Sequence, residues 1–153
     1  MKKKVLIALA LIALSAIGYV AYLWFMPHRD IQATKADAEV TASTLVDEFL
    51  ADAGAANAKY LDAEGESKVL IISGEVTKID TDQLGQKVLL LKSNPTDKLG
   101  VSCTFTAETN NQVSGVKIGD QIKIKGVIRS GAEYDEDLDL IINAVVEKSS
   151  IAN

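Results

Sequence analysis

The sequence predicts an all-β domain with an added helix: a small closed barrel of five strands, preceded by an amphipathic helix and, at the N-terminus, a transmembrane helix. Three observations lead to this class. The stretch Ile118–Ile128 opens on the turn pair Gly119-Asp120 and then alternates. Ile122, Ile124, Gly126 and Ile128 share one face, and Gln121, Lys123, Lys125 and Arg129 share the other, which is the period of a half-buried strand. A second long candidate strand, Lys68–Asp80, is apolar on both faces at Val69–Ile72 and changes phase near Gly74, as a bulged or sharply bent strand does. Finally, Val5–Met26 runs for 22 residues without a charge.

That run follows Lys2–Lys4. About 20 apolar residues cross a bilayer as a helix, whereas a cleaved signal peptide has an apolar core of about 7–15 residues. A cut near Ala13 or Ser15 would leave an apolar tail on the product, so an uncleaved signal-anchor over residues 1–27 is expected. Tyr19, Tyr22, Trp24 and Phe25 gather at its far end, where amphipathic rings favour the membrane interface. The lysines favour the cytoplasmic side, which places the rest outside the cytoplasm, on the periplasmic side in a Gram-negative cell. No cysteine follows the run to carry a lipid.

The formal net charge is −5; without the three leading lysines the balance is 13 basic against 21 acidic residues. An acidic domain repels phosphate backbones. The single cysteine, Cys103, excludes an intrachain disulfide and a multi-cysteine metal site, and the single histidine, His28, sits beside the apolar run, away from the domain.

Residues 28–43 are polar and alanine-rich and read as a linker. Thr44-Leu45-Val46-Asp47 fits a helix-start signal, with Ser43 as the other candidate cap. Val46, Phe49, Leu50, Ala53, Ala56 and Tyr60 then recur at helical spacing, a stripe that needs a sheet to cover. Gly54 weakens that helix by roughly 1 kcal/mol relative to alanine. Strands are expected at Lys68–Asp80, Lys87–Lys92, Val101–Phe105, the strand after Gly119, and Leu138–Glu147 with Leu140, Ile142, Ala144 and Val146 on one face. Ala107–Lys117 reads as a short helix or a loop, and Ser130–Asp137 as an acidic hairpin loop.

Three strands, a connector and two more strands is the order of an OB-fold barrel, whose closure removes most exposed edges. A jelly-roll-like or open sheet is the alternative. The helix Leu45–Leu61, the strand Ile72-Ser73-Gly74-Glu75-Val76, Val101–Phe105, Ile118-Gly119-Asp120 with its strand, and Leu138–Val146 together resemble the tRNA_anti-like OB-fold proteins, small bacterial envelope domains often carried behind an anchor. The likeness runs from Thr44 to Lys148, with 149–153 as a tail, and implies a fold but no activity. Anchored OB-folds that carry haem hold it through a histidine near the end of the barrel; the late loop here has Tyr134 and acids instead, so no cofactor is expected.

Chemical constellations are sparse. Asp135, Asp137 and Asp139 share one side of an extended chain, but no glutamate at calcium-loop spacing follows, so no metal site is assigned. Cys103 alternates with Val101 and Phe105 as a core residue does. Lys123, Lys125 and Arg129 form a basic row that lacks the interleaved aromatics single-strand binding uses. The expected function is therefore a non-enzymatic, membrane-anchored binding or scaffolding module. Its ligand would be an envelope protein, peptide or glycan, and a nucleic-acid binder is the alternative. Candidate contacts are the loops 81–86 and 130–137 and, by residue, Lys123, Lys125, Arg129, Tyr134, Asp135 and Asp137.

Overall fold

The computed structural model describes residues 12–22 and 29–152. In the ordered domain these form β1 (Ala38–Thr41), α1 (Ala42–Ala51), α2 (Ala53–Tyr60), β2 (Val69–Thr81), β3 (Lys87–Lys92), β4 (Val101–Phe105), a 3-10 turn (Asn110–Gly115), β5 (Gln121–Ser130), β6 (Glu133–Asp135), β7 (Leu140–Ile142) and β8 (Ala144–Ala152).

The barrel closes through β2. Its first half pairs antiparallel with β5 from Val69↔Val127 to Glu75↔Gln121, and its second half pairs antiparallel with β3 from Glu75↔Lys92 to Thr81↔Lys87. The circuit then runs β3–β4–β8–β5 and returns to β2, with β4 and β8 parallel. Among the described residues this is a closed five-stranded mixed barrel in OB order. Inward-facing Leu70, Ile72, Val76, Leu89, Leu91, Val101, Cys103, Phe105, Ile124, Ile128, Ala144 and Val146 fill one core. The phase change in β2 falls at Thr77, not Gly74: Val76 opposes Leu91 and Lys78 opposes Leu90, leaving Thr77 as the extra residue. Its hydroxyl donates to the Leu90 carbonyl at 3.2 Å.

Gly126 and Gly131 each admit a close approach. A Cβ at Gly126 would sit 2.5 Å from Val146 Cγ1 and 2.9 Å from the Glu147 carbonyl oxygen. The β5–β8 register shifts there, between Lys125 and Val127. A Cβ at Gly131 would lie 2.1 Å from Phe49 Cδ1, so the ring of α1 rests directly on the backbone that leaves β5.

The expected single helix is two. Asp52 adopts an extended conformation (φ −155°, ψ 93°), ends α1, and caps α2 by accepting the Ala55 amide on Oδ1 at 2.9 Å. A short acid that satisfies free helix amides competes with helix continuation. The break also turns the stripe: Leu45, Val46, Phe49, Ala56 and Tyr60 are buried, while Leu50 and Ala53 face outward. Thr41, rather than Ser43 or Thr44, caps α1, accepting the Thr44 amide at 3.1 Å. Phe49 and Tyr60 stack at 5.9 Å.

Residues 29–43 are not a free linker. Ile31 is buried against Val69 and Val127 on the outside of the barrel, and β1 runs parallel to β2 from Ala38↔Leu70 to Thr41↔Ser73. Asp37 joins the ladder by accepting the Val69 amide on Oδ2 at 2.8 Å while donating its own amide to the Val69 carbonyl at 2.7 Å. A four-residue strand with a single large apolar residue is too short to show a period. His28 lies outside the described residues.

The fifth strand also differs. Asn143 interrupts it, its Oδ1 accepting the Gly100 amide at 2.8 Å where β8 begins to pair with β4. Leu140 and Ile142 therefore lie in β7, paired with β6 in a separate hairpin, and β8 continues through the expected tail to Ala152. The region 107–117 contains the 3-10 turn Asn110–Gly115, which buries Val113 in the core.

Residues 12–22 are helical, with Ile12, Leu14, Ile17, Tyr19, Val20 and Tyr22 all exposed. Among the described residues no helix is long and apolar enough to cross a membrane. Residues 5–11 and 23–26 of the expected span lie outside the described residues.

Gly126→Ala is expected to destabilise the domain by about 1–3 kcal/mol through overpacking, read as a lower denaturation midpoint with an unchanged slope. Gly131→Ala should cost a similar amount, and Phe49→Leu in the same chain should recover part of it, since the clash is with the ring. The Cys103 thiol, pushed up by complete burial, should resist a thiol reagent in the native protein and react at the rate of unfolding.

Candidate ligand-binding surface

The basic row on β5 projects from the outer wall, as its alternation requires, but its charges are engaged. Lys123 Nζ pairs with the Glu39 carboxylate of β1. Lys125 Nζ donates to the Gln32 carbonyl at 2.9 Å, and Arg129 Nε donates to Glu147 Oε2 at 3.0 Å. The partners of both lysines come from residues 29–41, which lie across β2 and β5. Gln32 also reaches the Lys148 carbonyl through Nε2 at 2.7 Å, and Arg29 donates to the Ser67 carbonyl at 3.0 Å. The two lysines of the row form an attachment face for the chain's own N-terminal segment, and Arg129 is tied to β8.

The two candidate loops are not brought together. Residues 82–86 follow the far end of β2, and residues 131–143 follow the end of β5 that pairs with the start of β2. The first loop is a tight turn in which Asp82 Oδ1 accepts the Leu84 and Gln86 amides, both at 2.8 Å, leaving Leu84 exposed at the tip.

The second loop builds a site. The β6–β7 hairpin rises beside the helix pair, and between them lies a groove of about 510 Å³. Phe49, Leu50, Ala53, Asn57 and Leu61 form the helix wall, and Ser130–Tyr134 with Ile142 form the other. The first wall is the outward side of the helix pair, where Leu50, at the edge of the α1 stripe, is 46% exposed. The Asn143 interruption supplies the second by diverting β7 from the barrel, leaving Leu138, Leu140, Ile141 and Ile142 at 74, 48, 42 and 38% exposed. Aliphatic residues this exposed and this close together form a patch of the kind that marks interaction sites.

Of the residues singled out from sequence, Tyr134 lines this groove. Its hydroxyl accepts from Lys98 Nζ at 2.7 Å and donates to Asp139 Oδ1 at 3.1 Å, and Lys98 Nζ stands 4.4 Å from the ring centroid. The hydrogen bond to Tyr134 holds the Lys98 ammonium above its ordinary range. Asp135 is a turn residue, its Oδ1 accepting the Asp137 and Leu138 amides at 3.0 and 3.1 Å. Asp137 sits in the hairpin turn, beyond β6. At the other margin Glu48 pairs with Lys59 at 2.6 Å, which lowers the Glu48 carboxyl and raises the Lys59 ammonium. Among the described residues no group of three or more His, Cys, Asp or Glu converges as a metal cage.

Sequence reasoning reached Ser130–Tyr134 through the candidate loop 130–137 but did not identify Leu50, Asn57, Leu61 or Ile142 as site residues. The available signal was Leu138–Ile142, where apolar residues occupy both faces directly after an acidic turn, a pattern that a strand packed on one side does not need.

A search of curated proteins returns no match to the chain. Among solved structures, it is similar to the crystal structure of a "putative nucleic acid-binding lipoprotein" from Klebsiella pneumoniae, with a TM-score of 0.54 and 13% identity over 84% of this chain and 100% of that one. At that identity the likeness is one of fold. The tRNA_anti-like family model matches residues 1–136, which takes in the N-terminal segment, both helices, β1–β6 and the start of the hairpin turn. The chain belongs to the tRNA_anti-like family.

Proposed function

We propose that this protein is a non-enzymatic binding module, held at the outer face of the cytoplasmic membrane by its N-terminal segment, and that it seats a peptide segment of an envelope protein in the groove between the helix pair and the β6–β7 hairpin. The observation that carries this reading is the diversion of β7 out of the barrel, which leaves aliphatic side chains facing solvent beside an open groove. Apolar side chains ordinarily end up under cover, and here the domain's own elements do not supply it. The tether is supported by the uncharged run Val5–Met26 behind three lysines and by a helical segment, 12–22, that is apolar on every side. Residues suited to bond-making chemistry are scarce: the thiol is buried in the barrel and Asp135 serves backbone amides.

A second reading, nucleic-acid binding, is favoured by the likeness to the Klebsiella lipoprotein and by the fold it shares. The net charge and the engagement of Lys123, Lys125 and Arg129 within the domain weigh against it.

Photo-crosslinking in intact cells from a probe at Leu50 or Ile142 should capture an envelope protein, and a probe at exposed Leu84, at the opposite end of the barrel, should not. Equal capture from both positions, or from neither, overturns the groove reading. Gel shift of the intact protein with single-stranded RNA or DNA at low salt should leave the probe free. Tight binding that weakens steeply with salt would select the second reading.

A further inference from the structure

The groove is bordered mainly by acids. Its hairpin wall carries Glu133, Glu136, Asp137 and Asp139 with no basic residue between Ser130 and Ile142. The helix wall has Asp52 at its break, next to Ala53 in the lining. Two cations stand nearby: Lys59 is paired with Glu48 at 2.6 Å, and Lys98 donates to the Tyr134 hydroxyl at 2.7 Å and keeps its charge, outnumbered by the acids of the hairpin. Between these acids the floor and walls are Phe49, Leu50, Leu61 and Ile142. An apolar trough with an acidic margin repels acidic and phosphate-bearing ligands and favours a segment that places Lys or Arg beside aliphatic side chains. The trough also lies between a helix pair and a hairpin, the setting in which an amphipathic helix lays down its apolar face.

We infer that the segment bound in this groove is a basic amphipathic helix of a partner protein, its aliphatic stripe against Leu50 and Ile142 and its lysines or arginines against the acids of the hairpin. This rests on the groove reading above and adds the chemistry of the partner to it.

The test uses the intact protein in nanodiscs of zwitterionic lipid, with empty nanodiscs subtracted, and two fluorescent helical peptides of one apolar pattern, one Lys/Leu and the other Glu/Leu. Anisotropy should show the Lys/Leu peptide binding at least ~10-fold more tightly, with the preference shrinking as salt rises. The double variant Glu133→Lys, Asp137→Lys should remove that preference, and Leu50→Asn should weaken binding of the Lys/Leu peptide several-fold. All the changed residues are outside the buried core, so the fold is expected to persist, and an unchanged denaturation midpoint checks this. Equal affinity for the two peptides, with Leu50→Asn still weakening both, overturns the charge inference and leaves the groove reading standing. A Lys/Leu preference that ignores Leu50→Asn places the binding elsewhere and overturns both. Absence of binding by either peptide, or a Leu50-dependent dimer of the protein itself, overturns the basic-helix partner.

Discussion

Closure of the barrel depends on one strand serving two neighbours in succession. β2 gives its first half to β5 and its second half to β3, and the exchange occurs at Glu75, which is in register with both Lys92 and Gln121. Without that handover the sheet would have two open edges, each a row of unpaired amides and carbonyls. The extra residue at Thr77 lets the strand curve across the handover while keeping Val76 and Ile79 turned inward. The outer side of the first half is free for β1, so the same strand also fixes the N-terminal segment on the wall.

The surface follows from how the remaining elements reach that barrel. Phe49 sits on the bare backbone of Gly131, so the helix pair is locked to the point where the chain leaves β5. The next residues must rise beside the helices, and with Asn143 tied to Gly100 they form a hairpin before rejoining the sheet. The groove is what remains between two elements joined at one end by a ring on a glycine. On the barrel's outer face the β5 lysines bond to the N-terminal segment, which engages the basic row that the strand's alternation set there.

Strands with period-two alternation were legible because each buries one face: β4 and β5 lie where Val101-Cys103-Phe105 and Ile122–Ile128 put them, and the order of the five barrel strands follows from the connector after β4. Gly126 was legible as a close approach, since an apolar row with a missing side chain leaves room for a neighbour's backbone. What could not be read depends on contacts remote in sequence. β1 has four residues and is specified by Leu70–Ser73, and the break at Asp52 depends on a capping bond that helix periodicity ignores. Leu140–Ile142 carries strand composition and does form a strand, but its partner is β6, and nothing local distinguishes that partner from the barrel wall. The groove depends on the last two of these, and so its 130–134 side was anticipated through the candidate loop 130–137, while the helix wall and Ile142 were not.

Burial of Ile31 sets a limit on reach. It follows Tyr22, the last described residue of the helical segment, by nine positions. Nine residues drawn out straight extend about 32 Å at most, and from Ile31 onward the chain is pinned along β2 and β5. With the helical segment embedded in a bilayer, the barrel would hang on a leash no longer than the thickness of the membrane itself. Under the proposed anchoring, such a leash would confine encounters to molecules at the lipid surface.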